Sequence, residues 1–522
     1  MNQYDVAIVG SGFAGSVLAR CLRRYGKRVV LLEKDRHPRF AIGESSTPLA
    51  AIALERLAAR YDMDDLDSLA AHGRWLASHP EVRRGLKRGF TFYAHKAGEP
   101  LSPEPDSRLL VAASPDDAVS DSHWLRADVD AFLVERAIED GVEYRDRCEV
   151  TEVVEDDLCV TVSGRAENAP FHLQADFVVD ASGPAAAIAR HLGASRVSRP
   201  ARFRSSVVFS HFSGVLPLSR VWEQDGTRVE PGPYPDERAA VHHLLEEGWV
   251  YMLPFDHDCV SAGLVADEEV EEAQGEELWQ RVLDRYPTLG HQFRNATKLR
   301  PLTVLSPLQY RLTTATGNRW AALPHVYSFL DPMYSTGIAW SLLGVERLAE
   351  VLGSTEGGVR REGLAEYESR LSAEAAQIEH LIYGAHLARS DFSVYAAHSQ
   401  VYLALVSFEE VRQRLFDGPG DEISERRFLG GGDEWAERLL SEAVARLEEW
   451  SANGRGSSGA DDYVRWVTEA IAPCNIAGLA DPGRRNLYPV DLDVLVERAG
   501  LVGLSSDEMR SLLPRLRGSP RF

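Results

Sequence analysis

A glycine-interrupted turn near the start of the chain, Gly10 to Gly15 (GSGFAG), constrains the fold more than any other segment. It follows Asp5–Val9 (DVAIV), which reads as a short buried strand, and precedes Ser16–Tyr25 (SVLARCLRRY), whose apolar spacing is helical and which stops at Gly26. Arg28–Glu33 (RVVLLE) reads as a second strand, completing a βαβ unit. Each glycine has a task there. Gly10 permits the tight bend, Gly12 lets the backbone approach a pyrophosphate, and Gly15 lets the helix lie close to the strand. The helix N-terminus, where Phe13 and Ala14 stand, offers free N–H groups and the positive end of a dipole. Glu33 closes the second strand, where a carboxylate can accept hydrogen bonds from ribose hydroxyls. GxGxxG alone is a weak signal. Placed after a strand, before a helix and in register with Glu33, it predicts a dinucleotide site.

The bulk of the chain narrows its partners. A length of 522 residues exceeds one core and suggests roughly two to four structural units. The formal net charge of -22 repels nucleic acid and anionic membranes, so neither is an expected partner. The cysteines (Cys21, Cys148, Cys159, Cys259 and Cys474) are odd in number and form no CxxC pair. That speaks against a disulfide framework or a zinc cage and fits a cytoplasmic location. No basic region precedes the first apolar run at Val6, so no signal peptide is expected, and no apolar stretch is long enough to span a bilayer. His242, His243 and His211 invite a metal reading. Adjacent histidines on a strand point to opposite faces, however, and no carboxylate–histidine spacing supports a site, so no metal is expected.

Further along, residues 51–71 are expected to be helical, and Gly89–His95 (GFTFYAH) alternates like a strand. Asp128–Ile138 reads as a helix, followed by short strands through Val162. Phe177–Asp180 (FVVD) is a buried strand closed by Ala181-Ser182-Gly183-Pro184. Residues 200–305 are rich in short β patterns, Ile338–Leu352 is helical, and from about 360 onward helical and charged patterns dominate. Ser451–Ala460 (SANGRGSSGA) is expected to be a polar, glycine-rich loop.

Arg39–Pro48 (RFAIGESSTP) and FVVDASG resemble the secondary motifs of two-dinucleotide-binding flavoproteins, which makes FAD the expected cofactor. Several segments together resemble the flavin-dependent halogenases, in the branch that acts on phenol and pyrrole rings. Gly43–Pro48 (GESSTP), with Gly43, Glu44, Ser45 and Ser46, is similar to the family's flavin strap. Lys87 in LKRGFTF, followed by Gly89 and Phe92, is similar to the family's catalytic lysine. Gly248–Pro254 (GWVYMLP) resembles the tryptophan-rich WxWxIP signature, and Phe329–Gly337 (FLDPMYSTG) the segment under the flavin ring. The likeness covers most of the first 350 residues and extends to Ala472–Asp491. Two departures stand out. Tyr251 and Leu253 replace the second tryptophan and the isoleucine of the signature. Tyr334 stands where tryptophan-acting members carry glutamate, which argues against free tryptophan as substrate.

The resemblance implies an α/β fold, with a Rossmann-like FAD domain, a β-rich substrate region and a mostly helical C-terminal region. Residues 1–350 would carry the FAD and substrate module, discontinuous in sequence, with its β-rich part at about 75–100 and 200–305; residues 351–522 would form the helical region. Lys34 and Arg126 are expected on the cofactor, as are Asp331, Gly337 and Ile338. The backbone of Thr336 and Gly337 would help hold halide. Trp249, Tyr251, Pro254 and Tyr334 would wall the substrate side. The implied reaction uses reduced FAD from a separate flavin reductase, oxygen, and chloride or bromide. It halogenates a small aromatic substrate, free or tethered to a carrier protein, through hypohalous acid handled by Lys87. From the residues alone, Lys87 in the run Arg83, Arg84, Arg88 reads as a surface lysine, and Trp249 and Tyr251 as ordinary core aromatics. Ser335 or Thr336 also reads as a plain helix cap, though the flavin reading of this turn is favoured. Two other functions stay open: a flavin monooxygenase, against which the FLDPMYSTG segment counts, and a non-catalytic FAD-binding relative.

Overall fold

A computed structural model of the chain describes residues 3–167, 169–353, 357–416 and 427–516. The expected βαβ unit is present as strand Gln3–Val9, helix Phe13–Arg24 and strand Val29–Leu32. The two strands run parallel, with Val6 opposite Val29 and Val9 opposite Leu32. Both are nearly free of exposure, as strands covered on both faces must be. The first strand also pairs in parallel with the second half of Ala169–Asp180, which in turn pairs with Trp320–Ala322. The first half of that long strand instead pairs antiparallel with Val160–Ala166, itself paired with Cys148–Glu155. One strand thus joins the nucleotide-type sheet to an antiparallel extension.

A second sheet of nine strands lies beyond it. Its centre runs Ser206–Ser213, Cys259–Ala266, Gly248–Phe255, Ala240–Leu244, Gly89–Ala94 and Arg108–Ala112. Leu487–Tyr488, far along the chain, closes its edge beside Leu110 and Val111. The expected β pattern over 200–305 is therefore present, but helices Leu218–Gln224, Gly275–Arg285 and Pro287–Phe293 interrupt it. A separate two-stranded ribbon, Arg84–Lys87 with Asp121–Trp124, sits between the sheets.

Two helical expectations change. Residues 51–71 form two helices (Pro48–Tyr61 and Asp64–Leu69) with a third, His72–Ser78, just beyond, because Asp62 takes a left-handed conformation at φ 54 and ends the first. Ser451–Ala460 is mostly helix: Glu434–Ala452 runs into it and Ser457–Ala470 begins inside it, leaving only four loop residues. Trp450 anchors this corner, its indole N–H donating to Gly456 O at 3.1 Å. The expected C-terminal helices are Gly357–Ala388, Phe392–Phe416, Glu434–Ala452, Ser457–Ala470, Leu492–Glu497 and Ser506–Leu516. Of the residues assigned to that region, 354–356, 417–426 and 517–522 lie outside the described ones. Among the described residues no helix is long and apolar enough to cross a membrane.

Candidate active site

The nucleotide turn is built around missing side chains. Gly10 has φ +109, and a Cβ there would stand 2.3 Å from Ala181 O. A Cβ on Gly15 would stand 2.1 Å from Gly10 O, so helix and strand meet only because both residues are glycine. Gly12 differs: its nearest neighbours are the ends of flexible side chains, Arg126 Nη2 at 3.4 Å and Arg39 Nη2 at 3.8 Å. No acidic residue lies in the helix's first turn, and Gly12 and Ala14 are partly open while Phe13 is buried. The Phe13 N–H, expected to be free, instead donates to Asp130 Oδ1 at 3.1 Å, so the turn's fit to a pyrophosphate rests on the flanking guanidiniums and the remaining helix-start N–H groups.

Glu33 is buried at the end of its strand. Its Oε2 accepts from Ser11 Oγ at 2.8 Å, Ser11 N at 3.1 Å and Arg39 at 3.0 Å. Burial pushes this carboxyl up, but Arg39 and the N–H and O–H donors outweigh burial and hold it below the usual range. Glu33 is thus an ionised acceptor where a ribose would lie. Lys34 beside it is exposed. Arg126 is clamped to Asp130 by two bonds of 2.8 and 2.9 Å and donates to Ile42 O at 2.8 Å and Gly43 O at 3.2 Å. Its guanidinium lies over the Phe13 ring at 4.7 Å. These features fit an FAD adenosine and pyrophosphate.

The GESSTP strap leads from this end to the ribbon. Gly43 turns it at φ 87. Glu44 is buried, its carboxylate 3.0 Å from His211 Nε2 and its carbonyl accepting from Trp124 N at 2.6 Å. Ser45 pairs with His123 as an isolated bridge, and Ser46 N donates to Ser122 O at 3.2 Å. Ser46 O accepts from Lys87 Nζ at 2.5 Å.

Lys87 is 0% exposed, which overturns the surface reading of the Arg83–Arg88 run; Arg84 is buried with it. The reason is the ribbon, which turns Lys87 inward against Asp121, its cross-strand partner. The Lys87 amine lies 4.2 Å from the centre of the Phe90 ring. Burial pushes the ammonium below the ordinary lysine value, against the upward pull of Asp121.

From Lys87 a row of rings runs across to the FLDPMYSTG segment. Phe90 meets Tyr402 edge-on at 6.1 Å, and Tyr402 stacks on Tyr334 at 4.7 Å. Tyr334 is buried, its hydroxyl 3.1 Å from Ser399 Oγ, while Tyr402 O–H donates to Tyr334 O at 2.9 Å. Tyr402 and Ser399 lie on Phe392–Phe416, so the C-terminal helices complete the site. Trp249 and Tyr251 share one face, as their spacing predicts, with rings 6.2 Å apart. Trp249 is buried, while Tyr251 and Pro254 are half-buried. His242 packs flat on Trp249 at 5.3 Å, while His243 faces the other way and pairs with His95 at 2.8 Å, the opposed orientation expected of neighbours on a strand.

Asp331 is buried; its Oδ1 accepts from Met333 N at 2.9 Å and its Oδ2 lies 3.5 Å from His386 Nε2. Ser335 adopts φ 52, and the helix starts at Gly337 with Ile338 in the core. A Cβ on Gly337 would stand 2.9 Å from the His325 ring. Thr336 is buried at this helix start. The residues that sequence reasoning missed are partners: Arg39, Asp121, Asp130, His211, Ser399 and Tyr402. Only Arg39, six residues after Glu33, left a local trace. The others come from segments that meet only through the fold.

The chain is 30% identical over 347 residues to tetracycline 7-halogenase of Kitasatospora aureofaciens, a match covering 64% of this chain and 61% of that one. It is 30% identical over 362 residues to monodechloroaminopyrrolnitrin halogenase PrnC of Pseudomonas fluorescens, covering 67% of this chain and 61% of that one. The chain therefore spans less than two thirds of the length of these relatives. Its fold matches that of halogenase PltM, solved with phloroglucinol and FAD, at a TM-score of 0.84 and 24% identity over 93% of this chain and 99% of that one. Residues 5–322, more than half of the chain, match the model for FAD dependent oxidoreductases, and the chain belongs to that family, with FAD as its cofactor.

Proposed function

We propose that this chain uses reduced FAD, dioxygen and chloride or bromide to halogenate an electron-rich aromatic ring of the phenol or pyrrole class, free or tethered to a carrier protein. The observation that carries the reading is the wholly buried Lys87, held by the flavin-strap carbonyl of Ser46 and joined by a row of aromatic rings to the turn before Gly337. Burying a lysine costs stability, and a group whose proton state is shifted by burial in this way is a candidate for chemistry. The halogenase names of both 30%-identical relatives support the same reading.

When bound, reduced FAD would supply the electrons with which oxygen and halide become hypohalous acid and water. The Gly10–Gly15 turn, Glu33, Lys34, the strap residues Gly43 to Ser46 and Arg126 would hold the cofactor's nucleotide and strap side. Asp331 would face the cofactor's ribityl and phosphate side, Gly337 and Ile338 would lie beside it, and the backbone of Thr336 and Gly337 would help hold the halide. The Lys87 ammonium would donate a hydrogen bond to the hypohalous oxygen and polarise the oxygen–halogen bond. The ring's electron pair would form the carbon–halogen bond as that bond breaks, and the ring proton and hydroxide would leave as water. Trp249, Tyr251, Pro254 and Tyr334 would keep bulk water and the substrate away from the flavin. Tyr334 stands where tryptophan-acting members carry glutamate, which argues against free tryptophan as the substrate. A flavin reductase would be a transient partner, in the cytoplasm.

The test mixes purified protein, FAD, a flavin reductase, NADH and halide with a phenol probe. Halogenated product is expected by mass spectrometry, and Lys87→Ala should lower its yield by ~100-fold or more while oxidation of reduced flavin continues. Halogenation by Lys87→Ala at the parental rate would remove the lysine from the reaction. Product carrying oxygen from O2 and no halogen would make the chain a monooxygenase.

A further inference from the structure

We propose that Asp121 is the positioning residue for Lys87: its carboxylate, directly opposite across the two-stranded ribbon, keeps the amine protonated and turned toward the strap. The proposal rests on the reading of Lys87 as the group that receives the oxidant.

The geometry comes from the strand register. Lys87 pairs with Asp121, Leu86 with Ser122, Gly85 with His123 and Arg84 with Trp124. Opposed residues on an antiparallel pair project to the same face, with Cβ atoms about 4.5–5.5 Å apart. Lys87 is 0% and Asp121 5% exposed, so both groups are withdrawn from water on the same ribbon; the amine itself is bonded to Ser46 O, and Asp121 acts on it through the field rather than through a direct ion pair. Asp121 Oδ2 is buried and makes no hydrogen bond. An orphaned buried acceptor costs roughly 1–3 kcal/mol. A charge on the neighbouring amine gives it a purpose.

The other groups facing the pair do not replace it. His123, on the same ribbon, and His242, on Ala240–Leu244, both feel Lys87, but burial holds each imidazole neutral with a pKa of about 3. Glu410 and Arg414, on Phe392–Phe416, face Asp121, yet they bond each other at 3.0 Å, and Arg414 also meets Glu55 at 3.2 Å. Tyr402 nearby keeps its proton because burial raises its phenol. Asp121 is therefore the acid whose field acts on the amine, although Arg414 also pulls on Asp121. Burial drives Lys87 toward neutrality and the carboxylate opposes it, while the same burial raises Asp121 against the pull of Lys87. The two groups titrate as a pair. Removing the carboxylate leaves burial unopposed, and the amine loses its proton at lower pH.

The chain has five lysines (Lys27, Lys34, Lys87, Lys96 and Lys298), so lysine labelled with 13C at Cε gives a spectrum in which each can be followed by NMR. Lys87→Met identifies the Lys87 signal in the full chain. Asp121→Asn should lower the Lys87 titration midpoint by about one pH unit or more, with Asp121→Ser as a second neutral variant, and Asp121→Glu should restore it. The alkaline limb of phenol halogenation should move down by the same amount. A midpoint unmoved or raised in whichever neutral variant keeps the parental near-UV circular dichroism overturns the pairing. The two readings separate: a shifted midpoint with Lys87→Ala still halogenating retains the pairing and removes the lysine's role. A halogenation-dead Lys87→Ala beside an unmoved midpoint does the reverse.

Discussion

The nucleotide turn and the lysine ribbon are built on opposite principles. At the turn there is no spare space: Gly10 and Gly15 each lie where any side chain would strike backbone oxygen at 2.3 and 2.1 Å. Around the ribbon the packing is equally dense, but polar capacity is left over. Ser45 Oγ, Asp121 Oδ2, Ser122 Oγ, His123 Nδ1 and Trp249 Nε1 are all buried without a hydrogen-bond partner. Buried polar groups in a finished core are almost always satisfied. The turn is thus a structure that a ligand lies against, and the ribbon is a structure that something must complete. Most of the turn is set by glycine geometry within one βαβ unit, closed against Ala181, while the ribbon is set by pairing between distant segments.

Three measurements press on that contrast. The largest effect is expected at the turn. Gly10→Ala and Gly15→Ala should each destabilise the protein without FAD by about 3 kcal/mol or more, from strained backbone and overpacking, and should abolish FAD binding. Gly12→Ala meets the side-chain ends of Arg126, Arg39 and Asp130 at 3.4–3.8 Å, so its stability without FAD should change by less than ~0.5 kcal/mol while FAD affinity falls. Denaturant unfolding and flavin fluorescence titration separate the two. Equal damage by all three substitutions would show that the turn is packing alone.

The second measurement is acid stability of the region around the ribbon. His95, His123 and His242 are buried and held at about 3, against an ordinary 6.5. The unfolded chain takes up protons at these sites below about 6.5 while the folded chain does not. Stability is therefore complete above pH 6.5 and falls as pH drops toward 3. Each such histidine contributes a slope of about 1.4 kcal/mol per pH unit within that window. His242→Gln should flatten the fall in chemical denaturation between pH 6 and 4.5; an unchanged slope would mean that the imidazole is charged when folded. The smallest effect is expected from Tyr334→Phe, which removes the hydroxyl contact to Ser399 but keeps the stack on Tyr402. A loss of about 1 kcal/mol is expected, read from urea unfolding.

This contrast also explains what the sequence disclosed. Strand, turn and helix from Gln3 to Leu32 were legible because apolar periodicity and glycine spacing act within a few residues. Lys87 was visible only through its resemblance to a family motif, since three neighbouring arginines gave it the look of a surface residue. Its burial depends on Asp121–Trp124 arriving from later in the chain. Glu44 was assigned to the strap, but its link to His211 spans 167 residues and leaves no local sign. The break at Asp62 was missed because the apolar pattern runs across it, and one left-handed residue carries no periodicity. The corner at 451–460 misled in the other direction: glycine and serine there suggested a long loop, while Trp450 holds two helix ends close together.

The strap is tied at every step: Arg126 holds the carbonyls of Ile42 and Gly43, His211 the side chain of Glu44, and Lys87 the carbonyl of Ser46. Five consecutive residues therefore act as a taut rod between two remote anchorages. Slack introduced at one end, by a nick or an inserted residue, has nowhere to be absorbed and must reappear at the other as a misplaced amine.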